Sequence, residues 1–82
     1  MNRAEIQQTV LRVLGRIAPE ADLASLPEDA PLREELEIDS MDFLNFAIGL
    51  HDALGVDIPE ADYEKLASVR SCVDYLAARV RP

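Results

Sequence analysis

The chain has 82 residues, 49% of them hydrophobic and 29% charged, so it suits one small folded domain with a thin core rather than a disordered segment. Its net charge of −8 is uneven: residues 1–19 carry +2 and residues 65–82 carry +3, while residues 20–64 hold fourteen acids against Arg33 alone. A middle this acidic repels phosphate backbones and attracts basic protein surfaces, which excludes nucleic acid as the expected partner, and no apolar run is long enough for membrane insertion.

In chain order, the first helix is predicted over about residues 3–17. Ile6, Val10, Val13, Leu14 and Ile17 recur at helical spacing, and Asn2 with Glu5 three places on forms a variant capping box. The start, MNRAEIQQTV, lacks a hydrophobic signal region, and the lone Cys72 has no internal disulfide partner, so the cytoplasm is the expected location. Residues 18–38 form a long connection with Pro19, Pro27 and Pro31. Its leucines at 23, 26, 32 and 36 recur too often for a tether, so an ordered loop pinned to the core is expected.

The second helix is predicted from Ser40 to Leu54, stopped by Gly55. A short turn or helix follows over 60–66, after Ile58-Pro59. The last helix is expected over about 69–80, capped by Ser68, with Val69, Cys72, Val73, Leu76 and Val80 on one stripe. Cys72 on that stripe reads as a buried structural thiol. The fold class is all-α: a four-helix bundle of three main helices and one short one, in a single domain spanning 1–82. A monomer is the default expectation.

The second helix carries two apolar faces. Phe43, Phe46, Ala47, Leu50 and Leu54 share the predicted core face, with Asp42, Asn45, Gly49, Asp52 and Ala53 opposite. Met41, Leu44 and Ile48 make a second apolar stripe beside Ser40. Two readings stay open for it: the 18–38 loop covers it, or it meets a partner whose apolar patch is rimmed by Arg and Lys. Mid-helix Gly49 costs about 1 kcal/mol relative to alanine, which close approach by another helix or chain would explain.

Ser40 sits between Asp39 and Asp42 at the start of this helix. It reads as a cap, a nucleophile or a point of attachment. A nucleophile needs a base within hydrogen-bond reach, and the only histidine, His51, lies eleven residues along the same helix, about 16 Å away. No G-x-S-x-G elbow, zinc ligand set, calcium loop or glycine-rich phosphate loop is present. With Asp39 as the N-cap, the Ser40 hydroxyl is free at a helix N-terminus, which suits an anion, although the adjacent carboxylates oppose one.

The stretch PLREELEIDSMDFLNF resembles the acyl carrier protein signature, and the match continues through LGVDIPE, EKLASV and CVDYL in the family's order and spacing. The resemblance implies a bundle that does no chemistry and carries acyl groups as thioesters on a 4′-phosphopantetheine arm attached to Ser40. A phosphopantetheinyl transferase would install the arm from coenzyme A, with Asp39 used in its recognition. Met41, Asp42, Leu44 and Ile48 would face acyl-loading and acyl-transferring enzymes with basic docking surfaces. Fatty acid, lipid or specialised acyl metabolism is the implied setting.

Two departures stand out. Glu37 occupies a position that is commonly glycine in the family, so a left-handed backbone there would be strained. The second helix, with Asn45, Gly49 and His51, is less acidic than that of carriers in housekeeping fatty acid synthesis, which points to a dedicated pathway. His51 reads as an exposed surface residue. The alternatives are a peptidyl or aminoacyl carrier and an unmodified acidic adaptor that binds a basic protein partner through the same stripe.

Overall fold

The computed structural model describes residues 1–80. Helix α1, Arg3–Ile17, starts where Asn2 accepts a hydrogen bond from the Glu5 N–H at 2.9 Å. Its stripe of Ile6, Val10, Val13 and Leu14 is buried. Thr9, a buried polar side chain, donates to the Glu5 carbonyl at 3.0 Å, so its hydroxyl is satisfied within the helix.

The connection that follows is ordered, as expected, and contains more structure than its leucine spacing indicated. A 3-10 turn spans Leu23–Ser25 and a one-turn helix, α2, spans Leu32–Glu35. Leu32 is fully buried, and Leu23, Leu26 and Leu36 pack against the core. Two main-chain bonds join the connection to the far side of the bundle: Leu32 N–H to Ala67 C=O at 2.8 Å, and Arg70 N–H to Glu28 C=O at 2.9 Å. The Arg70 guanidinium adds ion pairs to Glu28 at 3.2 Å and Asp29 at 3.0 Å.

Helix α3, Ser40–Leu54, has the predicted ends. Asp39 Oδ1 accepts from the Asp42 N–H at 2.8 Å, and Gly55 closes the helix in the left-handed region at φ 67°. Phe43, Phe46, Ala47 and Leu50 are buried, and Leu54 packs half-buried against the core. Gly49 departs from its predicted wet face. A Cβ added there would lie 2.7 Å from Val13 Cγ1, so the missing side chain is what lets α3 approach α1.

A 3-10 helix, Glu60–Leu66, lies where the short turn or helix is predicted. Helix α4, Val69–Ala77, opens with Ser68 Oγ accepting from the Ser71 N–H at 3.1 Å. It ends earlier than the predicted residue 80. Arg79 lays its guanidinium 3.8 Å from the Tyr75 ring centroid and donates to the Tyr75 carbonyl at 3.1 Å. The Arg79 N–H goes instead to the Leu76 carbonyl, which also accepts from Val80. The regular ladder therefore stops without a glycine.

Four helices of seven residues or more and no strand, among the described residues, make the all-α bundle expected. They close one core around Ile6, Leu14, Phe46, Leu50, Leu66 and Leu76. Cys72 is fully buried in it, and burial pushes its thiol up to about 12.

Candidate functional site

The site is built by the turn between α2 and α3. Glu37 takes φ 53°, the left-handed region that glycine favours, as its place in the sequence foretold. The Ile38 N–H reaches the Arg33 carbonyl at 3.1 Å, the pattern of a Schellman motif with Glu37 at its left-handed position. Ile38, the next residue, is buried and anchors the reversal. The chain then enters α3 with Asp39 and Ser40 exposed.

Ser40 is the first residue of α3, and its hydroxyl is not consumed by capping, because Asp39 performs that role. Instead Ser40 Oγ accepts a hydrogen bond from Arg33 Nη2 at 3.0 Å. The same guanidinium lies 5.9 Å from the centroid of the Phe43 ring. Among the described residues no His, Asp or Glu side chain forms a hydrogen bond with the Ser40 hydroxyl. His51 is at the opposite end of α3, where Nδ1 lies 2.9 Å from the Val56 carbonyl and 3.6 Å from Asp57 Oδ1. Its exposure agrees with the surface role read from the sequence. Among the described residues no group of three or more His, Cys, Asp or Glu is placed to hold a metal ion.

Beside Ser40 opens a cleft of about 560 Å³ between α2, α3 and the 3-10 helix. Leu32, Phe43, Leu44, Tyr63 and Ala67 give it apolar walls, and Arg33, Glu60 and Glu64 stand among its polar lining. Phe43 and Tyr63 meet edge to face at 6.4 Å between centroids.

The second stripe of α3 is open rather than covered by the 18–38 connection. Met41 is 64% exposed, Ile48 47% and Leu44 36%. Asp39 and Asp42 flank this patch at its N-terminal end, beside Ser40. The site residues expected from the sequence, Asp39, Ser40, Met41, Asp42, Leu44 and Ile48, lie along one helix and its cap. Sequence reasoning missed Arg33 as Ser40's neighbour. Its only signal was its isolation as the single Lys or Arg among fourteen acids.

An exposed hydroxyl with no base, a helix N-terminus, an adjoining cation and an apolar cleft fit a covalently attached anionic arm better than a catalytic serine. Comparisons with known proteins agree. Residues 4–76 match the family model described as a phosphopantetheine attachment site. The acyl carrier protein of Rubrobacter xylanophilus is 34% identical over 77 residues, covering 93% of each chain. The solved structure of an acyl carrier protein from Enterococcus faecalis superposes with a TM-score of 0.80 at 26% identity, covering 95% of this chain and 98% of that one.

Proposed function

This chain belongs to the acyl carrier protein family, whose members bear phosphopantetheine and act as carriers rather than enzymes, and on that premise we propose that Ser40 is the attachment residue. The observation that carries the assignment is the idle, exposed Ser40 hydroxyl at the head of α3, free because Asp39 caps the helix. In the loading reaction Ser40 Oγ bonds to the pantetheine-side phosphorus of coenzyme A and the pyrophosphate link breaks. Adenosine bisphosphate departs, and the hydroxyl proton passes to a base on the transferase.

Asp39 serves transferase recognition. Met41, Leu44 and Ile48 form the docking patch, and Asp39 and Asp42 supply the carboxylates that meet a basic rim on the loading and transferring enzymes. Residues 1–82 act as one carrier domain. The cleft beside Ser40 has the apolar lining an acyl chain requires. The weakly acidic outer face of α3, with Asn45 and His51 exposed, supports service to a dedicated acyl pathway rather than to housekeeping fatty acid synthesis. No helix among the described residues is long and apolar enough to cross a membrane.

Intact-mass spectrometry tests the assignment. Incubation with coenzyme A and a broad-specificity transferase should add one phosphopantetheine, and Ser40→Ala should abolish the gain. No gain with several transferases, or an undiminished gain in Ser40→Ala, would refute it. A thioester mass trapped from the native host then identifies the cargo.

A further inference from the structure

Fourteen carboxylates crowd residues 20–64, and two of them flank Ser40, so a phosphodiester on that oxygen enters an unfavourable field. Arg33 is the one Lys or Arg in this stretch, and its position is specific. The Schellman turn at Glu37 folds α2 back so that Arg33 Nη2 lies 3.0 Å from Ser40 Oγ, although seven residues separate them. Among the described residues Arg33 forms no ion pair within 4.0 Å, even with Glu34 and Glu35 beside it in sequence. The guanidinium presents five donors, of which Ser40 engages one, and its carbon lies 5.9 Å from the Phe43 ring centroid. It also lines the mouth of the cleft.

We propose that Arg33 is a positioning residue for the arm, an inference that rests on Ser40 being the attachment site. Its remaining donors ion-pair the phosphodiester and hold the start of the arm on the cleft side of Ser40 rather than toward open solvent. Guanidinium suits this task because its fork can bind two phosphate oxygens, whereas lysine offers only a point charge. The pair is exposed, so it biases the arm's distribution by about two- to five-fold rather than locking it, and salt screens it.

The experiment uses holo protein with wild-type, Arg33→Gln and Arg33→Lys sequences, each first checked for a phosphopantetheine-sized mass gain. The 31P resonance of the phosphodiester is followed from low to high salt. A nitroxide is then placed on the arm's thiol, which is selective because Cys72 is buried and held as a thiol.

In wild type the 31P resonance should move with salt, and broadening should concentrate on Leu44, Tyr63 and Ala67. In Arg33→Gln the salt response should fall at least by half and the broadening should spread off the cleft, while Arg33→Lys should lie between. In the apo proteins, amide shifts should change only beside position 33 and the melting temperature should fall little, as befits an exposed side chain. Identical salt response and broadening in all three would overturn the inference alone. Failure of every variant to take the arm would overturn the assignment of Ser40 and this inference with it.

Discussion

Replacing Gly49 by alanine should destabilise the fold, against the usual expectation for a helix interior. Glycine to alanine at an open helical position yields about 1 kcal/mol of stability. Here the new Cβ lies 2.7 Å from Val13 Cγ1, well inside van der Waals contact. Val13 cannot swing aside easily, because it is β-branched, sits mid-helix in α1 and is only 4% exposed. Overpacking of this kind costs about 1–3 kcal/mol, so the net change should be a loss of about 1 kcal/mol.

Urea unfolding should show the loss as a midpoint lowered by about 1 M, given a slope of about 1 kcal/mol/M for so small a domain. A double-mutant cycle isolates the cause. Val13→Ala alone should cost about 2 kcal/mol for its two buried methyl groups and the cavity they leave. In that background Gly49→Ala should turn stabilising, giving a coupling of about 1–3 kcal/mol. Should Gly49→Ala stabilise wild type and the Val13→Ala protein equally, the close approach of α1 and α3 at this point is refuted.

Glu37→Gly should raise stability by up to about 1 kcal/mol, because relief of a left-handed non-glycine residue outweighs the entropy of glycine; a lower melting temperature would contradict the strain argument. Leu44→Asp and Ile48→Asp should lower kcat/KM for transferase loading about tenfold or more with unchanged melting temperature, and unaltered loading would remove these residues from the docking patch. Cys72 should resist alkylation in native protein at pH 8 and react freely in urea. Because burial raises its folded value from 9.0 to about 12, its contribution to stability is complete below pH 9 and lost as pH climbs toward 12. Among the described residues only Glu28, Asp29 and Asp62 of the fourteen acids in residues 20–64 pair with Lys or Arg, so added salt should raise the melting temperature, and a flat response would show the charges already compensated.

What was legible in the sequence follows from how local each determinant is. Asn2, Asp39, Gly55 and Ser68 mark helix ends through bonds to residues three or four away, so those ends were predicted correctly. The left-handed backbone at Glu37 was foreseeable only through the resemblance, which places a glycine there; the glutamate itself carries no such mark. Helix α2 was not legible, since one turn opened by Pro31 without a side-chain cap leaves no periodic trace. The premature end of α4 depends on Arg79 folding over Tyr75, a choice of rotamer rather than of sequence pattern. Gly49's role required knowing where Val13 lies across the helix pair. For Ser40 the exposed hydroxyl was foreseeable from its cap, whereas the neighbouring guanidinium arises only after the α2 reversal brings residue 33 alongside residue 40.

The bonds Leu32 N–H to Ala67 C=O and Arg70 N–H to Glu28 C=O rivet the long connection to the junction before α4. The first of them joins two residues that line the cleft, Leu32 and Ala67, so the wall from α2 and the wall from the end of the 3-10 helix are held at one spacing there. Because that seam is made by main-chain atoms alone, exchanging side chains along the cleft can reshape its lining without unfastening it.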